Sequence, residues 1–395
     1  MNSAKKIIKN QGLGNSGVTK SEEEGLGSRK NKILIIIGLC LIVGISLVVA
    51  YIQLRPREIL VVKGTGENNQ SITNKVYYTD AMYDIYTAET QYNSYESIYQ
   101  QIYGTTYWAA ENVDNEGRNG SQAVKKQIMD ALKQREILYM EALKNKVELT
   151  AEEQQSVTQD VNSTMQNMSD KQKKISGLDS ATLQEIFEKQ ALADKYKEQV
   201  IAGLGIDEEA LKKTVSKKDY RQYTLQYYTI AKTETKAGES EATQKSEEDL
   251  KKAKDDITAL QKKAVSAEDF TKGLITDSDN NNIDDKTGIS YSTENLIETD
   301  TDFMTEKARK QVKAMKNGQV SGVIETKDAY FVVKMVNNDD PEAYDAQCEQ
   351  VVSDEKENKF QEKYRTDIKI SYTTEVQSYW KGRVSIGYLT ADNNN

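Results

Sequence analysis

KNGQVSGVIETKDAYFVVKMVN, residues 316–337, is the stretch on which the fold turns. Ile324 and the run Tyr330 to Val336 are rich in β-formers and flank Thr326-Lys327-Asp328, so the spacing predicts a hairpin closed at those three residues. Gly318 stops the helix predicted just upstream, over Thr305 to Asn317. Further back, Asp277 to Asp285 (DSDNNNIDD) is a polar loop. Ser246 is placed to cap a helix in which Leu250, Ala253, Ile257, Leu260 and Ala264 keep helical spacing. At Tyr220 the pattern changes: Tyr223, Leu225 and Tyr227 alternate with Thr224 and Gln226, as a strand requires. The unit reads β-α-α-β-β, spanning residues 219–338.

Helical periodicity governs both sides of this unit. Tyr92, Tyr95, Tyr99, Tyr103 and Tyr107 recur every three or four residues and would share one helix face. Such a stripe reads either as a face packed on its own domain or as an adhesive surface, because a phenol ring combines apolar area with a polar tip. Val124, Ile128, Leu132, Tyr139, Leu143 and Val147 mark an amphipathic helix over Ser121 to Val147. Thr150 and Glu153 form a capping box for the next helix, with Thr182 and Glu185 as a second candidate box before Ile186, Phe187 and Ala191. Asp207 starts a further helix. Residues 76–218 therefore read as helical. Beyond Pro341 a helix runs to about Arg365, then a short alternating strand, Ile368 to Tyr372, and an Asn-rich end.

Near the N-terminus, the uncharged run Ile33 to Leu54 (ILIIIGLCLIVGISLVVAYIQL) is long enough to cross a bilayer as a helix. Lys20, Arg29, Lys30 and Lys32 precede it, favouring a cytoplasmic N-terminus, against the opposing Arg55, Arg57 and Lys63. The run is longer than a typical signal h-region and no A-x-A-like cleavage site follows, so it reads as an uncleaved signal anchor. This divides the chain into a cytoplasmic tail (1–32), an anchor (33–54) and a linker (55–75). The body that follows is extracytoplasmic and ends in a disordered tail (381–395).

Composition excludes several functions. Outside the anchor and tail, 46 Lys and Arg face 59 Asp and Glu, a net charge of about −13, so no nucleic-acid partner is expected. Histidine is absent, which removes the usual general base, zinc ligand and Ser-His or Cys-His nucleophile together. Asp277, Asp279, Asn281 and Asp285 have EF-hand-like spacing, but Asn282 replaces the turn glycine and Gly288 the bidentate acid. No metal or other cofactor is expected. Cys40 and Cys348 are the two cysteines; Cys348 is either a free thiol or a link to a second copy in a homodimer.

Two stretches together resemble a known family. AVKKQIMDALKQREILYMEALKNKVELTAEE (123–153) and IFEKQALADKYKEQVIAGLGIDEEALKK (186–213) look like the helical N-terminal domain of the PrsA and SurA class of extracytoplasmic foldases. Residues 316–337 are similar to the end of a parvulin-type (PpiC-like) prolyl isomerase domain. The resemblance covers roughly residues 76–380. It implies an α+β fold: a helical chaperone domain (76–218, completed by 339–380) with an inserted parvulin-like domain. It also implies unfolded or newly translocated polypeptides as partners. Parvulins place one histidine in the first strand and one in the last; carried over, these positions fall on Tyr228 and Phe331. The pocket phenylalanine falls on Ala308, Met304 keeps the pocket methionine, and the acidic or cysteine position falls near Asp277. The expectation is a foldase with weak or no isomerase activity, whose client-binding candidates are Tyr92, Tyr95, Tyr99, Tyr103 and Tyr107. The alternatives are an active peptidyl-prolyl isomerase and a noncatalytic envelope scaffold with one dedicated partner.

Overall fold

The computed structural model describes residues 56–66, 70–235 and 242–389. The apolar run 33–54 lies outside them; among the described residues no helix is long and apolar enough to cross a membrane. Among the described residues the chain forms two compact units, one within 56–136, 150–189 and 374–389, the other within 137–149 and 190–373.

The first unit opens where a linker was expected. Strand β1 (Glu58–Thr65) pairs antiparallel with β2 (Ser71–Tyr77), Lys63 opposite Thr73 and Gly64 opposite Ile72. Ile59, Leu60, Val61 and Val62 are all buried, and β1 is the middle strand of a three-stranded sheet. A short continuous apolar run is what a strand covered on both faces requires. Gly64 and Ser71, inside the expected linker, instead belong to paired strands. Helices α1 (Met82–Asn93), α2 (Glu96–Tyr103) and α3 (Gly120–Lys144) follow. Before α4 (Ala151–Asn167), Thr150 accepts from Glu153 N at 3.2 Å while Glu153 accepts from Thr150 N at 2.6 Å, completing the expected box. Helices α5 (Asp170–Ser176) and α6 (Ser180–Ala202) come next, the residues of α6 from 190 onward belonging to the second unit. Asp179, not Thr182, caps α6, accepting from Thr182 N at 2.8 Å.

In the second unit, α7 (Glu208–Lys212) is capped by Asp207. Strand β3 (Gln222–Ala231) then leads to the short pair β4 (Thr233–Glu234) and β5 (Thr243–Gln244), and to helix α8 (Glu247–Ser266), capped by Ser246. Next come β6 (Ser290–Ile297), α9 (Glu306–Lys313), β7 (Ile324–Glu325) and β8 (Ala329–Asp340). The sheet order is β6-β3-β8-β7, antiparallel throughout. One face packs Tyr228, Ile230 and Val332 against Ala253, Ile257 and Leu260 of α8. The other packs Leu225, Val333 and Met335 against Ala308 and Val312 of α9. Helix α10 (Glu342–Lys363) follows Pro341. The strand expected over 368–372 is instead a π turn (Tyr364–Ile368) and a 3-10 turn (Lys369–Ser371), with β9 (Thr373–Val376) one step later.

The expected tail is structured to residue 389. Helix α11 (Ser378–Arg383) buries Trp380, and Val384 and Ile386 are buried beyond it. The fully buried Glu89 carboxylate accepts from Gly387 N at 2.7 Å and Tyr388 N at 3.1 Å.

Candidate functional site

Register decides which side chains of the β-α-α-β-β unit meet. Tyr228 lies opposite Val332, Tyr227 opposite Val333 and Thr229 opposite Phe331. Because strand side chains alternate, Tyr228 shares the α8 face with Val332, whereas Tyr227 and Phe331 share the α9 face. The expected pair Tyr228 and Phe331 is therefore split across the sheet. Tyr228 is fully buried, its ring 5.0 Å from that of Phe270 and 5.3 Å from that of Tyr291. Its hydroxyl donates to the Phe270 carbonyl at 2.7 Å, and burial pushes its pKa up to about 12. It is a core residue.

Tyr227, not Tyr228, lies on the same face as Phe331. Its ring centroid lies 5.3 Å from Phe303 and 5.9 Å from Phe331, and the two phenylalanines are 6.1 Å apart. All three rings are only partly buried, over a floor that includes Leu225, Val312 and Val333. The alternation Tyr223, Leu225, Tyr227 already placed Tyr227 on this face. Phe303 has a weaker signal, adjacency to Met304. Met304 joins the same cluster with a φ of +59°, a conformation that non-glycine residues seldom adopt. The Arg309 guanidinium holds that turn, donating to the carbonyls of Thr301, Phe303 (3.2 Å) and Met304 (2.6 Å). Ala308 is buried against the core, so it offers no wall to a ligand.

Asp277 does not join this cluster. It sits on an exposed loop and accepts from the backbone N–H of Asn281 (3.1 Å) and Asn282 (2.6 Å). Asp285 accepts from Ser278 N and Oγ. Asp284 accepts from Thr276 N at 2.7 Å and Thr287 N at 2.9 Å; against the upward push of burial, these bonds hold its carboxyl below the usual range. Backbone amides thus occupy Asp277 and Asp285, two of the carboxylates that the EF-hand spacing singled out. Among the described residues no group of three or more acids or cysteines is arranged to hold a metal.

The tyrosine stripe divides. Helix α1 ends at Asn93 and α2 at Tyr103, so Tyr107 lies in a loop and folds back. Tyr92 stacks on Tyr107 at 4.4 Å, Tyr99 meets Tyr107 edge-on at 5.2 Å, and Trp108 packs against both Tyr92 and Tyr107. Trp108 Nε1 donates to Asn93 Oδ1 at 2.8 Å, fixing the cluster. Tyr95 (52% exposed) and Tyr103 (65%) face solvent with Ile98 and Ile102, and α2 buries no residue. The two isoleucines were not among the sequence candidates, although their spacing of four signals a shared face. In the second unit Ile201, Ala202 and Ile206 line an open groove of about 450 Å³ rimmed by Glu198, Glu208 and Lys356.

Residues 231–337 match the rotamase family, described as the PPIC-type PPIASE domain. The second unit thus carries a parvulin-type domain, in agreement with the resemblance of 316–337. Among solved structures, the chain is similar to the peptidylprolyl isomerase PrsA of Bacillus cereus, with 14% identity, 67% of this chain and 95% of that one covered, and a TM-score of 0.22. It is also similar to the foldase protein PrsA of Streptococcus pneumoniae (18% identity, 62% and 82% covered, TM-score 0.22) and to PrsA of Bacillus subtilis (13%, 64% and 91%, TM-score 0.22). At these identities and TM-scores the parvulin assignment rests on the family match. No curated protein matches the chain.

Proposed function

We propose that this chain is an extracytoplasmic foldase, anchored through residues 33–54, that holds newly translocated, unfolded polypeptides and whose parvulin domain binds segments rather than isomerising them. The observation that carries this reading is the half-open cluster of Tyr227, Phe303 and Phe331 on a parvulin-type domain of a histidine-free chain. Rotation about a prolyl bond meets a barrier of roughly 18–20 kcal/mol. An apolar cluster binds and desolvates a proline-containing segment. Lowering the barrier also needs groups that favour the twisted imide, and Tyr228, on the opposite face, supplies none there. Ala308 leaves the proline shelf unbuilt. Exposed Tyr95, Ile98, Ile102 and Tyr103 and the Ile201–Ile206 groove suit many weak, sequence-tolerant contacts, with no nucleotide motif to drive a cycle.

Two measurements on the full chain in detergent test this reading. Exchange spectroscopy of a Xaa-Pro peptide should show line broadening without faster cis/trans exchange; catalysed exchange would restore the active isomerase. Light scattering should show slower aggregation of a chemically unfolded protein at stoichiometric foldase. Absence of that effect, with a single stoichiometric partner recovered from membranes, would establish the scaffold instead.

A further inference from the structure

The parvulin sheet treats its two edges differently. On the β8 side, residues 318–325 cover the outward backbone groups: Ser321 N donates to Val333 O at 2.8 Å, Met335 N to Gln319 O at 2.9 Å, and Gly318 N to Met335 O at 2.7 Å. Residues 333 and 335 thus point their N–H and C=O away from β3, leaving residues 332 and 334 to bond to Tyr228 and Gln226. The alternation continues across β3. Tyr223, Leu225 and Tyr227 bond toward β6, to Leu296, Glu294 and Ser292, so Tyr291, Thr293, Asn295 and Ile297 point outward. The two ends of this row are taken, Tyr291 N by Asn282 O at 2.8 Å and Ile297 N by Asp300 Oδ2 at 2.7 Å. Between them, exposed Thr293 and Asn295 present two N–H and two C=O groups to solvent. Among the described residues, the only hydrogen bond to these four groups is a 3.5 Å one from Ser292 Oγ to Thr293 O.

Exposed edges are commonly blocked by lysine, proline or a bulge. β6 (SYSTENLI) has no lysine or proline and pairs with β3 in unbroken register. We infer that the Thr293–Asn295 window accepts an extended polypeptide segment as a fifth strand. The occupant follows from spacing: donors and acceptors recurring every two residues, about 6.8 Å apart, match another extended backbone. Main-chain pairing is indifferent to side-chain identity. On the side shared with Tyr227, the incoming strand meets Glu294, which favours a basic residue opposite it. Identifying the segment as part of an unfolded client rests on the foldase reading; the edge itself does not.

The test uses the full chain in detergent with a fluorescein-labelled nine-residue peptide alternating Lys with Thr or Val, and the same peptide N-methylated at alternate residues. Methylation in the pairing register should weaken binding by about tenfold or more, as expected for lost backbone hydrogen bonds. Thr293→Pro with Asn295→Pro should have a similar effect, since both prolines remove outward N–H groups and spare those facing β3. Independently of any variant, hydrogen exchange at the Thr293 and Asn295 amides should slow about tenfold when the plain peptide binds. Equal affinity for both peptides, or no protection at these amides, would overturn strand addition. If client aggregation is still suppressed in that case, the foldase reading survives alone. If the amides are protected but aggregation is never suppressed, strand addition stands and the foldase reading is lost.

Discussion

Replacing Ala308 by Phe would restore the ring expected of a parvulin pocket, but it would place that ring inside the packed layer between α9 and the sheet. Ala308 is 2% exposed and belongs to the cluster formed with Leu225, Val312 and Met335, so the added volume presses on buried neighbours. Overpacking of this kind costs about 1–3 kcal/mol. Ala308→Phe should lower the urea midpoint of the full chain without creating prolyl isomerase activity in the exchange assay; a gain of catalysis would show that the ring reaches solvent. Residue-level legibility was uneven for a definite reason. Family spacing put the first-strand position on Tyr228, one residue from the tyrosine that faces Phe331. A one-residue step in a strand exchanges core for surface. Met304 and Phe331 each lie in a recognisable local pattern, and the fold brings both into one cluster with Tyr227 and Phe303. The positive φ of Met304 and the role of Arg309 depend on carbonyls brought together only by the folded turn.

Elements were most legible where a cap or a period announces them. Thr150 with Glu153, Ser246, Asp207 and Thr305 each begin a helix, because a side-chain oxygen satisfies an otherwise orphaned N–H. The ends of the body were misread. β1 lies between β2 and β9, and its pairing with β9, about 300 residues on, is what no local pattern in 55–75 reveals. The last segment owes its order to distant groups: Ser121 Oγ donates to Ile386 O at 2.7 Å, Lys125 Nζ to Val384 O at 2.7 Å, and Gln377 N to Ile59 O at 2.9 Å. Gly387, at φ +100°, passes so close to Trp108 that a Cβ would sit 2.7 Å from the ring. Truncation after Val376 removes the buried Trp380 and Ile386 and strips Glu89 of both backbone donors. A loss on the order of 3–5 kcal/mol is expected, comparable with deleting one buried aromatic. Hydrogen exchange should register it as faster exchange over Met82–Asn93, with 222–340 unchanged; unaltered exchange in that helix would mean the segment is dispensable.

At the scale of the whole molecule, the parvulin domain enters and leaves its unit at one place. Gln222, the first residue of β3, pairs with Asp340, the last of β8, so the two chain ends lie about 5 Å apart. The helices on either side hold each other without it: Lys356 Nζ reaches Glu208 at 2.6 Å, Lys197 reaches Glu357 at 2.8 Å, and Cys348 Sγ lies 3.8 Å from Lys212 O. Residues 222–340 should therefore be removable, with Arg221 joined to Pro341 by a short Gly-Ser bridge, at little cost to α6, α7 and α10. On the foldase reading proposed above, the experiment separates the contributions to client holding. If exposed side chains such as Ile98 and Ile102 and the β6 edge engage the same unfolded chain, the second contact forms at a raised effective concentration, and the intact protein outperforms its parts. Excision should weaken retention of a long unfolded chain by about tenfold or more while barely changing affinity for a peptide too short to reach both surfaces. Circular dichroism should first confirm that the excised protein keeps its helices. Should it then hold long clients as tightly as the intact chain, the parvulin domain would have no part in holding them, and the helical surfaces alone would account for the activity.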